Sequence, residues 1–148
     1  MNATKPDIGQ VLAQWVAEGE VSLSGVVLDR ARQGVADTVA CIVAGAGDEG
    51  AAAVRQSVLR LGDGPATGIG AAPRLAAPWA ALANGTAAHA LDYDDVFAPG
   101  SNHASAVLIP ALRALAESEG ATGRDLLDAY GVGLEVQAVL GRGIGRAH

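Results

Sequence analysis

Apolar residues recur at three- and four-residue spacing along most of the chain, the period of a helix with one buried face. Ile8, Val11, Leu12, Trp15 and Val16 form the first stripe, which ends near Gly19. Ser24, a favourable N-cap, opens a second helix predicted to reach about Gly45. Its apolar positions are Val27, Leu28, Ala31, Val35, Val39, Ile42 and Val43, with Arg30, Arg32 and Gln33 off that face. Asp48 is placed to cap a third helix carrying Ala51, Val54, Val58, Leu59 and Leu61, which Gly62 stops.

From Gly62 to Pro78 the pattern lapses into a glycine- and proline-rich loop with room for one short extended piece. A fourth helix is expected from about Pro78, tolerated in a first turn, to Ala90 or Leu91. Asp92 to Asn102 reads as irregular. His103 to Glu119 is helical again, with Pro110 either starting a new helix or kinking a continuing one. Thr122 caps the last helix, with Asp125 in its first turn, and the helix is expected to dissolve at Gly141-Arg142-Gly143-Ile144-Gly145. Alternating strands and fixed-period repeats are missing from the pattern. The fold class is all-α, a multi-helix bundle.

Composition sharpens this. Half of the 148 residues are hydrophobic, yet only 3% are aromatic, and alanines (32) and glycines (20) dominate. Such a core must be closely packed aliphatic helices, because few rings are present to fill gaps. A net charge of −6, with arginines spread from Arg30 to Arg146, argues against a nucleic-acid partner, which needs a basic surface. Cys41 is the single cysteine, so it has no internal disulfide partner and reads as a small buried hydrophobe in a reducing compartment. The longest apolar run, Val35 to Gly47, contains Asp37 and falls short of the ~18 residues that span a bilayer. Met1 to Ile8 has no signal-peptide stretch. The expectation is a soluble, cytoplasmic protein with no membrane partner.

Polar residues concentrate between Asn84 and Ser105, where two of the three histidines fall. If the fourth helix continued, His89, Asp92 and Asp95 would share a face and Asp94 would point elsewhere. His103, after a loop, can fold back over the carboxylates. A carboxylate beside an imidazole forms an acid/base pair, since each shifts the other's pKa toward useful proton exchange. Two other readings remain open on spacing alone. Asp92 to Asp95 can be a solvated helix end with His103 a mere N-cap, or the group can ligate a metal, although no known ligand spacing is present. The Gly141-x-Gly143-x-Gly145 run lacks the preceding strand of a nucleotide loop and reads as close helix packing or fraying. Ser101 and Ser105 lack the strand-turn-helix setting of a nucleophile elbow.

The stretch Ala83-Asn84-Gly85-Thr86-Ala87-Ala88-His89-Ala90-Leu91-Asp92-Tyr93-Asp94-Asp95, followed by His103-Ala104-Ser105 and Pro110-Ala111-Leu112, resembles the N-terminal part of the MmgE/PrpD family. Asp37-Thr38-Val39-Ala40-Cys41 with Gly45, and Gly123-Arg124-Asp125-Leu126-Leu127 with Gly133-Leu134-Glu135-Val136, agree. The resemblance spans roughly Ala31 to Gly143. It implies a cofactor-free, metal-free lyase or isomerase of the 2-methylcitrate dehydratase type, a family that also holds cis-aconitate decarboxylase and iminodisuccinate epimerase. The substrate would be a small di- or tricarboxylate, and the parent enzyme a homodimer.

Carried over by position, the resemblance makes Asp92 and His103 catalytic, with His89 and Asp95 the expected substrate contacts. Three departures stand out. Val96 replaces a residue that bears a hydroxyl in many relatives, His103-Ala104-Ser105 replaces H-P-S, and the intervening loop is a residue longer than in some. They make the decarboxylase the least favoured member. Residues 1–148 then read as the first third of such an enzyme, without its lid domain and C-terminal helices, and the small-residue faces as surfaces for later helices and a second subunit. The rival is a catalytically inactive helical binding or assembly module derived from that fold.

Overall fold

The computed structural model describes residues 7–19, 21–71 and 74–144. Six helices follow in chain order: α1 (Ile8–Glu18), α2 (Gly25–Gly45), α3 (Glu49–Val58), α4 (Ala77–His89), α5 (Ala104–Glu119) and α6 (Gly123–Ile144). One short strand, β1 (Asp63–Ala66), lies between α3 and α4 and bridges antiparallel to Leu75. The protein is all-α, as its apolar periodicity predicts. None of the described helices is long and apolar enough to cross a membrane.

Local chemistry sets most boundaries. The Asp48 carboxylate accepts from the backbone N–H groups of Gly50 (2.8 Å) and Ala51 (3.2 Å), satisfying two orphan donors at the start of α3. At α6, Thr122 and Asp125 cap each other. Thr122 Oγ1 accepts from Asp125 N–H at 3.2 Å, and Asp125 Oδ2 accepts from Thr122 N–H at 2.8 Å. Gly120, at φ +69°, closes α5 in the left-handed conformation that glycine adopts without a Cβ clash.

The core lies where α2, α4 and α5 meet, and α4 makes its most extensive contacts with α5. Ile42, Ala51, Ala87, Ala88 and Ala106 form one buried cluster; Ile109 with Ala31 and Tyr130 forms another. These alanines are buried within the chain itself, so this part of the small-residue faces of α4 and α5 is internal packing surface, while Ala81, Gly85 and Ala111 line an open cavity. Close approach is the reason. A Cβ on Gly45 would overlap the Ala87 carbonyl, which fixes glycine where α2 crosses α4. Pro110 sits inside a continuous α5 and has no N–H to offer the carbonyl of Ala106. That carbonyl faces Gly85 of α4, where a Cβ would stand 3.4 Å from it.

α6 differs from its expectation in two ways. It runs through Gly141 and Gly143 to Ile144, because Gly141 packs against the Pro99–Gly100 backbone; Gly145 lies outside the described residues. Its broad apolar circumference is also only partly covered, with Tyr130 and Ala138 buried and Leu140 and Ile144 exposed.

Candidate active site

The polar window falls where α4 ends and α5 begins. After His89 the helix tightens into a turn, with Asp92 N–H donating to the His89 carbonyl at 3.2 Å. Asp92 then adopts φ +56°, a left-handed conformation that aspartate tolerates better than most residues. That reversal ends the helical register. The expected sharing of one face by His89, Asp92 and Asp95 is therefore lost, and Asp94 is the residue carried back beneath His89.

The Asp94 side chain has no solvent exposure. His89 Nδ1 stands 3.0 Å from its Oδ1 and 3.2 Å from its Oδ2. His103, at the entrance to α5, folds back over the same carboxylate, its Nδ1 3.2 Å from Asp94 Oδ2. The direction of the His103 N–H at Nδ1 is off that line, so this buried nitrogen makes no hydrogen bond. The other nitrogen, Nε2, is 3.7 Å from Oδ1 of Asp92, whose side chain is 79% exposed. The two imidazole rings are 4.5 Å apart, centre to centre. The hydrogen bond to Asp94, and then its negative charge, hold the His89 pKa above the ordinary 6.5. His89 thus holds its proton more tightly than a free imidazole does.

Asp95 goes elsewhere. Its Oδ1 accepts from Ser105 N–H at 3.1 Å and its Oδ2 from Ser105 Oγ at 2.8 Å, capping the start of α5. Ser105 Oγ also meets the Tyr130 hydroxyl at 2.6 Å, and burial pushes that phenol up. Both Asp95 oxygens are thereby committed to Ser105; neither Asp95 nor Asp92 lines the cavity described next, but Asp92 stands beside His103, which does. Of the residues expected here, Asp92, His103 and His89 come together and Asp95 does not. Asp94 is the residue that helical spacing missed, and the ease with which aspartate takes a left-handed turn is the signal that would have found it.

An open cavity of about 750 Å³ lies between α4 and α5, its wall formed by Leu82, Gly85, Thr86, Ala106 and Val107 with His89 and His103 at one end. Two imidazoles line it, and among the described residues no lysine or arginine does. The far side of the loop is held to α6 by Asn102 Nδ2, which donates to Gln137 Oε1 at 2.6 Å, and is closed on itself by Phe97 N–H donating to the Asn102 carbonyl at 2.7 Å. Asn84, buried in α4, accepts from Ile69 N–H and donates to the Thr67 carbonyl, both at 2.9 Å. It fastens α4 to the preceding loop. Cys41 is buried, and burial first, then the charges of Asp37, Asp94 and Asp95, push its thiol up, so it is a poor nucleophile.

His89, Asp92, Asp94 and His103 each offer one ligand atom, all within 4.8 Å of one another, a donor set that first-row divalent cations accept. A cation there would have to displace the Asp94 contacts just described.

Comparison with known proteins places this geometry. The MmgE/PrpD N-terminal domain matches residues 10–148. The chain belongs to the MmgE/PrpD family. Within that family, the human (Homo sapiens) cis-aconitate decarboxylase is 45% identical over 71 residues, covering 45% of this chain and 15% of that protein. The mouse (Mus musculus) cis-aconitate decarboxylase is 42% identical over 71 residues, 45% of this chain and 14% of its own length. The chain thus matches about a seventh of the length of these curated relatives. The MmgE/PrpD signature, Asn84 to Asp95, builds the end of α4 and the turn that seats Asp94.

Proposed function

We propose that this MmgE/PrpD chain is the N-terminal part of a cofactor-independent lyase or isomerase acting on a small di- or tricarboxylate. The observation that carries the reading is the pairing of His103 Nε2 with Asp92 at 3.7 Å beside an open cavity, over a buried carboxylate. In this reading His103 and the exposed Asp92 exchange a proton with the carbon next to a substrate carboxylate. The developing negative charge needs positive donors aimed at it. His89, whose hold on its proton is strengthened by Asp94 beneath it, supplies one.

The reaction then ends in loss of water, loss of carbon dioxide or epimerisation. The type of product depends on which bond next to the carbanion breaks. Sequence resemblance favours 2-methylcitrate and a dehydratase outcome. The human and mouse relatives are cis-aconitate decarboxylases, which puts cis-aconitate beside 2-methylcitrate as a substrate to test despite Val96. The lining of the cavity, with two imidazoles and no lysine or arginine among the described residues, leaves most of a tricarboxylate's charge to be met by groups other than these.

The test is proton exchange in heavy water with the product of the complete reading frame, offered 2-methylcitrate, citrate and cis-aconitate. Deuterium entering at least one of them is expected, with the rate falling roughly 10²- to 10⁴-fold in His103→Ala, the usual worth of a general acid or base. A folded protein that exchanges none of the three supports the binding-module reading instead. The 148-residue chain by itself is expected to turn over 2-methylcitrate negligibly, and measurable turnover abolished by His103→Ala would overturn that.

A further inference from the structure

We propose that Asp94 is a positioning residue: its buried carboxylate fixes both imidazoles through Nδ1, so that Nε2 of His103 is the nitrogen left to exchange protons. The argument begins with what Asp94 does not do. It lines no part of the cavity and its side chain is fully buried, so it acts through other groups. Its two oxygens are the acceptors that stand against both ring nitrogens, His89 Nδ1 at 3.0 Å and His103 Nδ1 at 3.2 Å. A carboxylate has about four lone-pair sites, enough to serve two N–H donors.

The tautomer follows from electrostatics. Were His103 Nδ1 unprotonated, two electron-rich atoms would stand 3.2 Å apart in a buried site, a repulsive arrangement. Protonated, the same nitrogen meets an anion, and a small rotation of the ring aligns the bond. Nδ1 is also buried without another partner, so leaving its N–H unpaired would be costly. Nε2 is then the basic nitrogen, and it is the one that stands near Asp92. A carboxylate that orients an imidazole through Nδ1–H is the arrangement that readies Nε2 as a base elsewhere in enzymology. Here one carboxylate orients two rings.

This inference rests on the proposed role of His103, but its test does not need catalysis. The 148-residue chain, labelled with ¹⁵N in its histidine rings, is examined by long-range ¹H–¹⁵N correlation in alkaline buffer. Both rings are expected as the Nδ1–H tautomer. In Asp94→Asn the side chain keeps one acceptor oxygen and gains an N–H₂ donor, so at least one ring must switch to Nε2–H. Asp95→Asn, which disturbs the Ser105 cap alone, leaves both tautomers in place. A His103 ring found as Nε2–H in the unaltered chain overturns the proposal, and that spectrum decides it even where Asp94→Asn fails to fold. Two rings unchanged in a folded Asp94→Asn overturn it equally. Where the complete protein turns over substrate, Asp94→Asn is expected to lower kcat with KM little changed. Absent turnover would count against the catalytic reading and leave the tautomer result standing.

Discussion

The junction of α2, α4 and α5 and the edge formed by α1 and α6 are written in similar apolar sequence, yet only the first is a core. At the junction Ile42, Ile109, Ala87 and Ala106 are buried, and so is the Asp94 side chain. Along the edge α1 has no buried residue. Ile8, Val11, Trp15 and Val16 stay substantially exposed, and a shallow cavity of about 250 Å³ separates Val11, Leu12 and Trp15 from Val136 and Val139 of α6. A helical period therefore tells which side of a helix is apolar. What covers that side depends on whether small residues let another backbone approach, and Gly45, Gly85 and the alanines of α4 do that at the junction.

The comparison is sharpest where it should cost most. Ile42→Ala is expected to destabilise the fold by about 2–5 kcal/mol, the range for emptying a fully buried aliphatic site. The shift of the urea midpoint measures it. Gly45→Ala comes next, about 1–3 kcal/mol, because its methyl group would collide with α4 backbone rather than with a side chain able to turn away. If Gly45→Ala were neutral, the close crossing of α2 and α4 would be wrong.

A smaller effect is tied to pH. Because the His89 pKa in the fold lies above its ordinary 6.5, its pairing with Asp94 contributes fully below 6.5 and is lost as pH rises through the raised value. The stability gap between the native chain and His89→Gln should thus be widest in acid and close in alkali. A gap that widened with rising pH would contradict the pairing. Smallest of all, Ile8→Ala, at a side chain 60% exposed, should stay within about 0.5 kcal/mol. A loss of several kcal/mol there would mean that the α1 face is covered after all.

Much of this architecture is legible in the sequence because capping is local. Ser24, Asp48 and Thr122 mark the starts of α2, α3 and α6; Asp48 and Thr122 accept from N–H groups two or three residues on, while Ser24 holds the N-cap position without a side-chain hydrogen bond. The site is legible by residue type and order, which bring His89, Asp92 and His103 into one place. Its internal wiring is not. Spacing rules assume that a helix continues, and one left-handed aspartate, Asp92, resets the register so that Asp94, and not Asp95, comes back beneath His89. α4 resists reading for a different reason. With alanine on nearly every side it offers no polar contrast, so which face is buried is decided by α2 and α5 and not by its own pattern.

The central claim is that Asp92 and His103 together move a proton at a carbon beside a carboxylate. It is tested most directly by Asp92→Asn in the complete protein, scored by deuterium uptake into the substrate that the unaltered enzyme accepts. Asparagine tolerates the same left-handed backbone, so the turn and the fold are kept while the carboxylate is lost. The account predicts exchange slowed by roughly 10²- to 10⁴-fold with an unchanged melting temperature. Exchange at the original rate in a fully folded Asp92→Asn would contradict it.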